Sequence, residues 1–158
     1  MKLMTAYLDA SALGSRFDVE FQEPAKRFFT LLEQGRFAAV VSDLLADELE
    51  GAPQAVKNLF AQVLRGGAVR VRTSEEAVAL RDAYLAARVV TRQYGDDALH
   101  VALATVVKAD VVASWNFRHL VNPVRIRGFN AVNISRGYGP IVILTPGDVV
   151  NALEAQDG

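Results

Sequence analysis

The chain has no cysteine, so neither a disulfide framework nor a thiolate metal site is open to it. It has no apolar run of membrane-spanning length. Its first stretch, MKLMTAYLDA, meets an acid at Asp9, too early for the apolar region of a signal peptide. A cytoplasmic protein with no membrane partner is therefore expected. An excess of either charge is also missing: the formal net charge is -1, without the global basic field that marks non-specific nucleic-acid binders. No linker, repeat or low-complexity tract breaks the 158 residues, which predicts a single domain over 1–158.

What is present is the composition of a packed domain. Hydrophobic residues make up 51% and charged residues 22%, enough for a proper core and too apolar for extended disorder. The charge is unevenly placed. Residues 43–50, DLLADELE, are strongly acidic, whereas 118–136 carry Arg118, Arg125, Arg127 and Arg136 with no acid among them. Such a basic stretch reads either as a salt-bridged, solvated face or as a rim that touches RNA.

Hydrophobic periodicity divides the chain into alternating strands and helices. MTAYL (4–8), RFAAVV (36–41), AVRVR (68–72), VVAS (111–114) and IVIL (141–144) read as strands, the third less buried because it alternates. EPAKRFFTLLEQG reads as a helix with Pro24 in its first turn and Gly35 as its stop. DLLADELEG follows an N-cap at Ser42, and Pro53 opens a further helix closed by Gly66 and Gly67. A capping box of Thr73 and Glu76 starts a helix running to about Arg92, and DDALHVALATVVKA starts another with Asp96 as N-cap. The alternation predicts an α/β fold with a largely parallel five-stranded sheet.

In such a sheet, ligands bind beyond the carboxyl ends of the strands. Asp9 ends the first strand, Ser42 follows the second, and Ser114 and Asn116 follow the fourth. If those strands are neighbours, these polar residues meet in one crevice; an N-cap for the following SALGSRF explains Asp9 equally well. Glu48 lies four residues after Leu44 and three after Leu45, on the apolar stripe of its helix, where a carboxylate is costly unless paired or metal-bound. Asp43, Asp47 and Glu50 can face water. Asp97 shares a face with His100, Val101 and Ala104, and the small Ala98, Ala102 and Ala104 allow that helix to approach the sheet closely. Three carboxylates from distant segments suit a hard cation, Mg²⁺ or Mn²⁺. His100 reads as a satisfied helix histidine, and Trp115 as a packed ring whose N–H finds an acceptor. Arg118 and His119 stand where basic groups touch RNA phosphates, with a local cap or pair as the other reading for His119.

YLDAS, SDLLADELE, GDDALHVALA and SWNFRHLVNP, in this order and spacing and on through RIRGFNAVNISRGYGPIVILTPGDVV, resemble the PIN-domain family of metal-dependent ribonucleases. The likeness is nearest to the VapC-type toxins of bacterial toxin–antitoxin pairs. It implies a three-layer α/β/α sandwich with the acids in one groove, and cleavage of RNA by metal-activated water. The family's catalytic positions fall on Asp9, Glu48, Asp97 and Asn116. Of these, Asp9, Glu48 and Asp97 would hold Mg²⁺ or Mn²⁺ directly or through water, and Ser11, Ser114 and Asp96 would orient ligands and waters. The resemblance further implies an RNA substrate, a small antitoxin partner and a homodimer.

At Asn116 the chain departs from the fuller pattern, since the family has an acid there and an amide brings an oxygen without charge. That departure keeps a rival reading open, a PIN-like fold that binds RNA or protein without cleaving. It also weakens the case for a second ion. Titration of the free chain with Mn²⁺ is expected to reveal one tight site, and two tight sites in the absence of substrate would overturn this.

Overall fold

The five short apolar runs form one parallel sheet in the computed structural model, which describes residues 2–157. The strands are β1 (Thr5–Leu8), β2 (Ala38–Ser42), β3 (Val69–Val71), β4 (Val111–Ala113) and β5 (Val142–Leu144). Between and after them come α1 (Ala10–Gly14), α2 (Gln22–Glu33), α3 (Asp43–Glu48), α4 (Gln54–Arg65), α5 (Glu75–Ala86), α6 (Gly95–Val106), α7 (Pro123–Ser135) and α8 (Pro146–Ala155). The sheet order is β3-β2-β1-β4-β5, with every pairing parallel. The first strand is thus central, flanked by the second and the fourth.

Strand alternation divides the core into two layers. Ala6, Leu8, Ala39, Val41, Val111 and Ala113 pack with Leu13, Phe28, Leu31, Leu45 and Val149 on one face. Tyr7, Val40, Val112 and Ile143 pack with Tyr84, Leu103 and Phe129 on the other. Helices therefore cover both faces, giving the expected α/β/α sandwich, and the central strands read as unbroken apolar runs because neither side meets water. The edge strands are the exposed ones, β3 more than β5, and β3 carries Arg70, a charge of the kind that discourages edge pairing. Ala98, Ala102 and Ala104 are fully buried in α6. Among the described residues no helix is long and apolar enough to cross a membrane.

Several helix ends differ from expectation, each for a local reason. The N-cap of α5 is Ser74, whose hydroxyl accepts from the Ala77 amide. Thr73 is engaged elsewhere, with its amide and hydroxyl both donating to Asp43. The helix stops at Ala86, ahead of Arg92, because Arg88 takes a left-handed conformation with φ 58°. Helix α6 begins two residues early: Tyr94 is its N-cap, and Asp96 and Asp97 both lie in the first turn, still favourably placed against the helix dipole. Helices α7 and α8 had no counterpart in the sequence reading. Apolar residues encircle α7, with Phe129 and Val132 buried but Val124 and Ile134 exposed, so no stripe marks it. Its start was legible in the Asn122–Pro123 pair, as that of α8 was in Thr145–Pro146; Asn122 and Thr145 both cap through their side chains.

A buried polar triad joins three helices on the second face. The Tyr84 hydroxyl donates to Asn133 Oδ1, and Asn133 Nδ2 donates to Thr105 Oγ1 at 3.2 Å. Tyr84→Phe removes the donor and leaves a buried carbonyl oxygen unsatisfied. It is expected to lower the unfolding free energy by roughly 1–3 kcal/mol, measured by urea denaturation.

Candidate functional site

The strand order reverses between β1 and β4, and the crevice at their carboxyl ends is where an open α/β sheet places its ligands. Leu8 pairs with Ala113, so the next residues, Asp9 and Ser114, stand side by side just past the ladder. Asp9 is only 4% exposed. Its Oδ1 accepts from Ser11 Oγ at 2.7 Å and from the Ala12 amide at 3.0 Å, and its Oδ2 accepts from Ser114 Oγ at 2.5 Å. Asp9 is therefore both the N-cap of α1 and a residue of the crevice. Burial pushes its carboxyl above the usual range, while His100, Ser114, Ser11 and the Ala12 amide pull the other way.

The two serines also organise the segment after β4. Ser11 Oγ accepts from the Trp115 amide at 2.9 Å, and Ser114 Oγ accepts from the Asn116 amide at 3.0 Å. Asn116 Nδ2 then donates to Asp97 Oδ2 at 3.3 Å, and Asn116 Oδ1 accepts from the His119 amide at 3.0 Å. His119 Nδ1 lies 3.1 Å from the same Asp97 oxygen; an ionised carboxylate only accepts, which assigns a proton to Nδ1. The imidazole is buried and lies 3.8 Å, centroid to centroid, from the Tyr94 ring. Local pairing is thus the role the structure gives His119. Arg118 is exposed, with its guanidinium carbon 5.6 Å from the Tyr94 centroid.

Glu48 reaches the same end of the sheet from α3, capped by Ser42. Its Oε1 lies 2.6 Å from His100 Nε2, and His100 Nδ1 lies 2.6 Å from the Tyr7 hydroxyl. Tyr7 in turn bonds Ser42 Oγ at 2.7 Å. Burial raises the Tyr7 phenol far above its ordinary range, so it remains a donor. Glu48 is exposed at the edge of the stripe set by Leu45 and Leu49, its carboxylate is paired, and His100 is satisfied at both ring nitrogens. Pleat alternation puts Tyr7 and Asp9 on the same side of β1, facing α6.

Asp9, Ser11, Asp97, Ser114, Asn116 and His119 thus share one hydrogen-bonded network, with Glu48 in a second that passes through His100. Asp96 is exposed and lies outside both. Among the described residues no three or more His, Asp and Glu side chains are gathered to hold a metal ion. Tyr7 and Tyr94 escaped the sequence reading; a tyrosine two residues before Asp9 in a buried strand was the available signal, since a buried hydroxyl needs a partner. The Trp115 expectation fails in one respect. Its ring stacks on Phe21 at 4.2 Å and 16°, close to Gly147, and its buried Nε1–H has no acceptor among the described residues. The backbone bond to Ser11 and the stacking fix the ring where no acceptor lies. A cavity of about 560 Å³ occurs away from the acids, between α2 and α4.

The Asp9 environment sets a sign for stability against pH. A carboxyl raised above its ordinary 3.8 by burial favours the folded state while protonated, and that contribution is lost as pH rises through the folded value. Asp9→Asn, studied with EDTA present, is therefore expected to raise Tm at pH 7, by roughly 2–4 °C for each kcal/mol relieved. The gain should vanish below pH 3.8; a lower Tm at pH 7 would show that the three donors outweigh burial. No protein-family model matches this chain, and no curated protein matches it.

Proposed function

We propose that the chain is a Mg²⁺- or Mn²⁺-dependent endoribonuclease of PIN-domain type, hydrolysing RNA phosphodiester bonds without a covalent intermediate. The observation that carries this reading is the convergence of Asp9, Asp97 and Asn116, joined by Ser11 and Ser114, at the reversal point of the sheet. Glu48 stands at the same end on the neighbouring strand's helix. Asp9, Glu48, Asp97 and Asn116 offer oxygens, which suit a hard cation. Among the described residues they are not gathered into a closed cage, so an ion here would reach some of them through water. Asp9, Glu48 and Asp97 would hold it, and a bound Mg²⁺ or Mn²⁺ supplies an activated water and neutralises charge on a phosphoryl oxygen.

The chain's own side chains do the positioning. Ser11 and Ser114 fix Asp9, while the Asn116 amide and the His119 imidazole fix Asp97. Arg118 is the exposed basic group beside them. None of Arg118, Arg125, Arg127 and Arg136 has a carboxylate partner within 4.0 Å among the described residues, which favours the RNA rim over the salt-bridged face. Arg125 is engaged with the Val89 carbonyl at 2.7 Å, and Arg136 caps the far end of α7, so Arg118 is the one offered to phosphate at the acids. A role as the toxin of a type II pair, with a small antitoxin and a homodimeric state, rests on the family resemblance alone, and a cytoplasmic location on the early acid at Asp9 and the lack of a long apolar run in the sequence.

A second reading has its own support. Asn116 is neutral, and the acids already hold protein donors, as they would in a module that binds RNA or a protein without cleaving. One experiment separates the two. RNA cleavage is expected with Mg²⁺ or Mn²⁺, to stop with EDTA, and to fall about 100-fold or more in Asp97→Asn while RNA binding and the circular dichroism spectrum persist. RNA binding with no cleavage by the unmodified chain in either metal would favour the module.

A further inference from the structure

His100 connects three elements at the edge of the groove. It is carried by α6, meets Tyr7 of β1 through one ring nitrogen and meets Glu48 of α3 through the other, each at 2.6 Å. Tyr7 is bonded to Ser42 Oγ at 2.7 Å, and Ser42 Oγ accepts from the Leu45 amide at 3.2 Å. Tyr7 is 0% exposed, His100 1% and Ser42 4%, so this polar chain crosses the apolar core on that face of the sheet.

The direction of its donors follows from its ends. Glu48 as a carboxylate only accepts, which puts the proton of a singly protonated ring on Nε2. Nδ1 then accepts, so the Tyr7 hydroxyl donates to it. Ser42, already receiving the Leu45 amide, gives its own proton to Tyr7. Every donor in the chain therefore points toward Glu48. The outcome is one carboxylate oxygen held by a buried imidazole, on a side chain that is otherwise 26% exposed at the end of a six-residue helix. Unanchored, a glutamate there would have to lose its rotamer freedom when an ion bound; anchored, it has lost it on folding.

We propose that His100 is the positioning residue of Glu48: with its tautomer set by Tyr7, it holds one carboxylate oxygen and leaves the second free for a divalent cation. This rests on the metal reading of the groove proposed above. It assigns Tyr7 and Ser42 a part in ion affinity although neither would touch the ion, and it explains why a fully buried tyrosine and histidine end on a partly exposed acid.

Calorimetric titration with Mn²⁺ alone tests it, using the unmodified chain, Glu48→Gln, His100→Leu, His100→Gln and Tyr7→Phe, each checked for fold by circular dichroism. His100→Leu is expected to weaken Mn²⁺ binding by roughly 10–100-fold, as Glu48→Gln does. His100→Gln keeps an N–H donor near the Nε2 position and should recover most of the affinity, which a purely space-filling role would not produce. Tyr7→Phe should lose part of the affinity, and its imidazole ¹⁵N shifts should no longer report a single Nε2–H tautomer. If His100→Leu does not fold, Tyr7→Phe carries the test. His100→Leu and Tyr7→Phe titrating like the unmodified chain, while Glu48→Gln does not, would overturn the inference and leave the metal reading standing. No Mn²⁺ binding by the unmodified chain would overturn the metal reading and this inference with it.

Discussion

A carboxylate that is almost fully buried, Asp9, sets the conditions for everything around it. An acid taken out of water must be met by donors, and here Ser11, the Ala12 amide and Ser114 supply three directly. Two of those donors, Ser11 and Ser114, spend their remaining acceptor capacity on the amides of Trp115 and Asn116. The segment after β4 is thus shaped around Asp9. Trp115 is turned onto Phe21, Asn116 is brought to Asp97, and the following turn delivers His119 to the same carboxylate.

Within that frame the neutral residue at 116 has a chemical reason. An amide donates a hydrogen bond to Asp97, which a carboxylate in its place would instead repel. The same side chain accepts from the His119 amide and so closes the turn. Two acids of the groove are each matched with one histidine, Asp97 with His119 and Glu48 with His100, and each of those histidines is buried. The two acids are therefore fixed by hydrogen bonds to protein donors at Asp97 Oδ2 and Glu48 Oε1, with no hydrogen bond at the other oxygen of each among the described residues.

Much of the architecture was legible in the residue pattern. The apolar runs at 4–8, 36–41 and 111–114 could only be strands covered on both faces, and the capped segments between them only helices; all five strands fall where the pattern puts them. Asp9, Ser114 and Asn116 were identifiable because each interrupts an apolar run at its carboxyl end. Helix α7 lacks a single buried stripe to mark it, whereas α8 has one at Pro146, Val149, Val150 and Leu153 and a capped start at Thr145, so its signal was present in the pattern. Tyr7 was hidden by its setting, an amphipathic side chain inside an apolar strand.

The sequence by itself determined the alternation of strands and helices, the positions of the acids relative to strand ends, and the appearance of Glu48 on an apolar stripe. These follow from period and residue type, which are local properties. Only the tertiary structure decided that Asp97 is matched by Asn116 and His119 and that Glu48 is matched by His100, itself fixed through Tyr7 and Ser42. A polar atom's partner depends on which strands are neighbours and in what register. Those relations join residues such as Asp9 and Ser114 across 105 positions of chain, where spacing carries no information about contact.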